Sequence, residues 1–232
     1  MGMGLTLRVV AELARASVPI AAEAAGHRLR RDRVDARARR FGARTLEVLD
    51  VQLSVERQAE LSPGRGYVYM FNHQSHLDIP VLYATLPSPT IRFVAKAELF
   101  RIPLWGAAMR QAEFIEVDRG DHAQAMAAMA RAAALVGDGV SIAIAPEGSR
   151  SRDGRIGPLK KGGFHLAQGT GAPIVPVAIR GTIDILPRGA RAMRGGVPVR
   201  VVIGAPIAAA GRPIEEPMAE VAAFLERYVE GN

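Results

Sequence analysis

An α/β fold, with a mostly parallel central sheet flanked by helices, is what this sequence predicts, and two observations predict it. From Tyr67 onward, short apolar runs alternate with stretches of helical periodicity, the pattern of strands joined by crossover helices. Three of those runs are followed at once by polar clusters: His73 after Tyr67–Phe71, Asp118-Arg119 after Glu113–Val117, and Pro146-Glu147-Gly148-Ser149-Arg150 after Val140–Ala145. In open α/β sheets ligands bind outside the carboxyl ends of the strands, so one decorated edge fits both the fold and a site. A hydrophobic content of 49% over 232 residues suffices for one such domain plus an appendage.

Taken in order, the elements begin with a helix within Leu5–Ala25, an apolar stretch broken by Arg8, Glu12, Arg15 and Glu23. It falls short of the ~20 apolar residues that a membrane span needs. Its charges lie inside the apolar stretch, not ahead of it as in a secretory signal. It reads as a helix lying on something. After a break at Gly26, His27–Leu49 forms a second helix, because Val34, Ala38, Phe41, Thr45 and Val48 recur at i, i+4, i+7, i+11 and i+14. Arginines 28, 30, 31, 33, 37, 39, 40 and 44 flank that stripe. Two readings stand: an interfacial helix whose arginines meet anionic headgroups, or an arginine-rich solvated helix packed on the domain. The expected organisation is therefore an amphipathic two-helix element over residues 1–49 and the main domain over 50–232.

Strands follow at Tyr67–Phe71, Ile91–Ala95, Glu113–Val117, Val140–Ala145, Ile174–Ile179 and Val197–Ile203, with an earlier one near Thr45–Val55. Helices are expected at His76–Ala84, Pro103–Met109, His122–Val136, Leu159–Gln168 and Ile214–Tyr228. Gly and Pro mark the loops at Ser62-Pro63-Gly64, Pro87-Ser88-Pro89 and Arg194-Gly195-Gly196.

The net charge of +7 is carried by arginine, since the lysines are Lys96, Lys160 and Lys161 alone. Such a surface favours phospholipid headgroups, phosphate-bearing substrates, acyl carriers or nucleic acid. Nucleic acid is disfavoured, because the basic N-terminal segment carries a single aromatic residue, Phe41, and no recognition module. Without cysteine, disulfides, thiolate metal sites and a Cys nucleophile are excluded.

His73 and Asp78 supply the chemistry. A neutral imidazole can take a proton from an attacking hydroxyl, and a carboxylate on its far side can fix the tautomer and stabilise the imidazolium. Asp78 could also simply serve the first turn of a helix. His73-x-x-His76-x-Asp78 contains zinc-ligand types too, but His27, His122 and His165 show no grouped spacing that would complete a site. There is no Gly-x-Ser-x-Gly elbow, so a base at His73 implies a hydroxyl supplied by the substrate. In Pro146-Glu147-Gly148-Ser149-Arg150-Ser151-Arg152, the guanidiniums match phosphate oxygens and the glycine lets backbone approach a ligand. Read alone, that segment is also an ordinary solvated turn.

Together these residues resemble the glycerolipid acyltransferases (PlsC-type), the group containing 1-acylglycerol-3-phosphate acyltransferase. Asn72-His73-Gln74-Ser75-His76-Leu77-Asp78 is similar to the family's Asn-His-x4-Asp signature. Phe93-Val94-Ala95-Lys96-Ala97-Glu98-Leu99, Ile115-Glu116-Val117-Asp118-Arg119, Ala145-Pro146-Glu147-Gly148-Ser149-Arg150-Ser151 and Ile174-Val175-Pro176-Val177-Ala178 resemble the segments that follow. Ala145 stands where the family usually has Phe, and Ser149 where it usually has Thr. The resemblance implies transfer of a fatty acyl group from acyl-CoA or acyl carrier protein to the hydroxyl of a lysophospholipid, with no cofactor and no metal. His73 would be the base and Asp78 its orienter, with Lys96, Arg119 and Arg150 on the acceptor phosphate and Glu147, Gly148 and Ser149 shaping that pocket. The implied location is the cytoplasmic face of a membrane, held peripherally or monotopically on an anionic surface. Glycerol-3-phosphate, a lyso-ornithine lipid or another lysophospholipid as acceptor, or a metal-dependent hydrolase, are the alternatives.

Overall fold

The computed structural model describes residues 2–103, 105–118 and 120–231. Its strands are β1 (Gln52–Arg57), β2 (Val68–Phe71), β3 (Ile91–Lys96), β4 (Ile115–Val117), β5 (Ser141–Ile144), β6 (Ile174–Arg180) and β7 (Pro198–Ile203). They form one sheet in the order β1-β7-β6-β2-β5-β3-β4. β2 lies parallel to both β5 and β6, and β3 parallel to both β5 and β4. β7 is antiparallel to β6, and β1 is parallel to β7. The sheet is therefore mostly parallel, with one reversal near its β1 edge. β2 and β5 are buried along their whole length, which is why they read as unbroken apolar runs and not as alternating ones.

The helices are α1 (Gly2–Ala25), α2 (Arg31–Val48), α3 (Asp78–Thr85), α4 (Ala97–Phe100), α5 (Trp105–Gln111), α6 (His122–Gly137), α7 (Gly162–Thr170), α8 (Thr182–Ile185) and α9 (Glu215–Leu225). A π-helical turn, Glu226–Glu230, continues α9. Leu46, Val81, Leu82 and Ile185 pack one face of the sheet, while Ala128, Ala132, Phe164, Val221 and Leu225 pack the other. The result is a three-layer sandwich. The strand expected near Thr45–Val55 begins later, because residues 45–48 complete α2 and Asp50, at φ 49°, turns the corner into β1.

The apolar stripe of α2 turns inward. Val34, Thr45 and Val48 are buried, with Ala38 and Phe41 partly so, and α2 meets α3 so closely that a Cβ on Gly42 would come within 2.6 Å of the Pro80 carbonyl oxygen. The apolar stripe of α2 is thus taken up by packing on the domain. α2 is further tied to β3 by charge. Arg92, 1% exposed, is paired with Asp35 at 2.5 Å and Glu113 at 3.3 Å, and Thr90 Oγ1 donates to the other Asp35 oxygen at 2.6 Å. Removing one partner of a buried pair leaves an uncompensated charge. Asp35→Ala is expected to cost about 3 kcal/mol in urea unfolding, the low end of that range because Glu113 stays in place. A loss under about 1 kcal/mol would mean that the cluster does not hold α2.

α1 is built the other way round. Met3, Leu7, Val10, Leu13 and Val18 are 40–64% exposed, whereas Glu12 and Ser17 are buried. Its acids face the arginines of α2: Glu23 accepts from Arg37 at 2.6 and 3.0 Å and from Arg33 at 3.4 Å. A water-facing helix buries its apolar stripe; this one shows much of its own. Among the described residues, no helix is long and apolar enough to cross a membrane.

Candidate active site

The carboxyl ends of β2, β3, β4, β5 and β6 share one edge of the sheet, and the loop after β2 carries the centre of the site. Asn72 secures the loop's start. Its side-chain amide donates to the Ile179 carbonyl at 2.8 Å and its oxygen accepts from the Ile179 N–H at 2.7 Å, extending the β2–β6 pairing through a side chain. His73 follows. Its Nδ1 lies 2.7 Å from Asp78 Oδ2, and its side chain is 20% exposed. Edge-on contact with Phe71, at 5.8 Å between centroids, sets the ring plane.

Asp78 is fully buried at the start of α3. Oδ2 accepts from the N–H groups of Gln74 and Ser75 at 2.8 and 2.9 Å as well as from His73, and Oδ1 accepts from Thr182 Oγ1 at 2.5 Å. A buried carboxylate is tolerated when its lone pairs are taken up in this way. Because Asp78 is an acceptor, the His73 proton sits on Nδ1, which leaves the Nε2 lone pair directed away from the carboxylate. Among the described residues, Nε2 has no hydrogen-bond partner.

Thr182 is absent from the sequence-based candidates, although it contacts Asp78 from 104 positions away. The signal that could have found it is positional: Gly181-Thr182 follows β6 just as Asn72-His73 follows β2. Gly181 adopts φ 100°, and a Cβ there would lie 2.2 Å from the Pro198 carbonyl oxygen. Only glycine makes that turn without strain, and the turn delivers the threonine hydroxyl.

The loop after β5 clamps His73 from the other side. Glu147 Oε1 accepts from the His73 N–H at 2.9 Å, its Oε2 accepts from the Gly157 N–H at 2.9 Å, and the His73 carbonyl accepts from the Ser151 N–H at 2.7 Å. Glu147 thus holds the backbone of the histidine. Burial pushes its carboxyl up from the usual range, against the hydrogen bonds from Gly157 and His73. Gly148, at φ 81°, makes the turn that brings Ser149 to the surface and Arg150 to a half-buried position. Burial first, then the neighbouring Arg188, pull the Arg150 guanidinium down, and Asp78 opposes them. Arg188 donates to the Arg150 carbonyl at 3.3 Å. His76 stands on the rim, its imidazole held below the ordinary range by desolvation and then by Arg150.

The structure therefore brings His73, Asp78 and Glu147 into one hydrogen-bonded unit with Arg150 within electrostatic reach. Lys96 is exposed at the end of β3, two strands along the edge from β2 and so roughly 10 Å away at the usual spacing. Arg119 lies outside the described residues. No group of three or more His, Cys, Asp or Glu side chains is arranged to hold a metal ion among the described residues. A nucleophile-activating imidazole and an electropositive flank are what the edge offers.

Comparison with known proteins agrees with this architecture. The crystal structure of the 1-acyl-sn-glycerophosphate (LPA) acyltransferase PlsC from Thermotoga maritima superposes with a TM-score of 0.82 at 27% identity, covering 99% of this chain and 95% of that one. The chloroplastic 1-acyl-sn-glycerol-3-phosphate acyltransferase BAT2 of Brassica napus is 40% identical over 140 residues, 60% of this chain and 40% of the relative. The human 1-acyl-sn-glycerol-3-phosphate acyltransferase alpha is 33% identical over 130 residues, 56% of this chain and 46% of the relative. The chain thus spans less than half the length of these curated relatives. The family model described as Acyltransferase matches residues 52–180, a segment that opens with the first residue of β1, closes with the last of β6 and encloses the clamped His73–Asp78 unit. The chain belongs to the acyltransferase family.

Proposed function

We propose that this protein moves a fatty acyl group from a thioester, acyl-CoA or acyl carrier protein, to the free hydroxyl of 1-acylglycerol-3-phosphate, giving phosphatidic acid. The observation that carries the reading is the 2.7 Å contact between His73 Nδ1 and the buried Asp78, which leaves Nε2 available as a base. The acceptor hydroxyl oxygen attacks the thioester carbonyl as Nε2 takes its proton. The C–S bond then breaks, and the thiolate recovers that proton from the imidazolium. Asp78 stays ionised and stabilises the charged ring. Arg150, with Lys96 and Arg119, holds the acceptor phosphate, and no cofactor enters.

The acceptor and the sheet edge meet at a lipid surface, where α1 lies with its exposed residues in the interface. This is peripheral attachment, on the cytoplasmic face. The sequence relatives whose names specify 1-acyl-sn-glycerol-3-phosphate support the acceptor choice. Incubation with lysophosphatidic acid and each donor in turn, read by mass spectrometry, is expected to yield phosphatidic acid. Product from glycerol-3-phosphate or another lysolipid alone would overturn the acceptor assignment. Attachment is tested with Leu7→Asp/Val10→Asp, two substitutions at exposed positions and therefore harmless to the fold. Each buried apolar side chain is worth roughly 1.5–3 kcal/mol, so the pair is expected to lower vesicle flotation by at least about tenfold. Wild-type flotation by the variant would remove α1 from the interface.

A further inference from the structure

We infer that the groove between α1 and α2 binds the phosphate of an anionic phospholipid, at a site separate from the acyl-transfer centre. The groove encloses about 450 Å³ and is lined by Arg15, Arg37, Arg40 and Arg44 together with Glu12 and Phe41. Four guanidiniums thus face one carboxylate. Glu12 is paired with Arg15 and lies 4.0 Å from Arg44, while Arg44 itself is paired with Glu47 and Arg37 is taken up by Glu23. Arg40 has no hydrogen-bond or ion-pair partner among the described residues, and its side chain is exposed. An unneutralised guanidinium in a concave basic wall is a fork presented to a phosphate.

The occupant is a lipid because of what adjoins the groove. Arg15 and the exposed Val18 are i and i+3 on α1, hence neighbours on the helix surface, so the rim of the groove runs directly into the apolar stripe of Met3, Leu7, Val10 and Val18. A headgroup seated between the helices would have its acyl chains beside that stripe. A soluble anion would gain nothing from it. The site makes docking selective for charged leaflets, where a diffuse basic surface would only favour them.

This inference rests on attachment through α1, and the experiment separates the two. Flotation is measured on phosphatidylcholine vesicles with and without phosphatidylglycerol, using the full chain. The wild type is expected to prefer the charged vesicles. Arg40→Gln is expected to lose roughly fivefold of the binding to charged vesicles and less than that of the binding to neutral ones, whose phosphate is already countered by its own choline, whereas the Leu7→Asp/Val10→Asp pair lowers both alike. Arg40→Lys is the deciding variant. It keeps the charge and loses the fork, so a phosphate site predicts that it binds charged vesicles less well than the wild type. Wild-type binding by Arg40→Lys, or no preference in the wild type, would overturn the site. Inorganic phosphate at matched ionic strength is expected to leave the preference intact; its abolition would reassign the groove to a soluble phosphate compound and overturn the lipid assignment.

Discussion

Replacing His73 by alanine is expected to lower the acyl-transfer rate by about 10²–10⁴-fold, the usual contribution of a positioned general base. The fold should hardly register the change. The imidazole makes one edge contact with Phe71 and one hydrogen bond to Asp78, while the backbone of residue 73 keeps its bonds to Glu147 and Ser151 whatever side chain it carries. The measurement is single-turnover transfer to lysophosphatidic acid, alongside thermal unfolding. Turnover within tenfold of the wild type would end the base assignment. A collapse in melting temperature would leave the rate uninterpretable, which is why the two are read together.

Asp78→Asn is expected to cost a comparable factor, roughly 10²–10⁴, for a different reason. The amide oxygen can still accept from His73, Gln74 and Ser75, and the amide nitrogen can donate to Thr182, whose hydroxyl rotates to accept. The three N–H donors therefore keep their acceptor, and the bond to Thr182 persists with its direction reversed. What disappears is the negative charge that stabilises the imidazolium. Asp78→Ala, by contrast, strips the acceptor from four donors at a fully buried position, each worth about 1–3 kcal/mol when orphaned, and is expected to fail by unfolding. If Asp78→Asn retains activity within tenfold, charge at residue 78 is not part of the mechanism.

Much of this was legible in the chain itself. The buried strands β2, β5 and β6 announce themselves as apolar runs, and His73, Asp78, Glu147 and Arg150 stand out because they follow such runs. The direction of β7 was not legible, since an apolar strand pattern reads the same in both directions. α4 and α8, four residues each, are too short to show a helical period. Thr182 was hidden because its significance lies in a contact across 104 positions. The two N-terminal helices were legible as amphipathic but not as to which way each would face. The stripe on α2 met α3 through Gly42, and the more plainly apolar α1 was left showing its own. Glu147 was readable as part of a turn but not as the residue that grips the main chain of the histidine.

That grip has a mechanical consequence. With both the amide and the carbonyl of residue 73 fastened to the segment that carries Arg150, the imidazole and the guanidinium are geared together: a displacement of one strand-end loop is transmitted to the other through two short bonds. A headgroup that draws Arg150 inward would trim the aim of the imidazole in the same stroke, so that recognising the ligand and aligning the reaction become a single event.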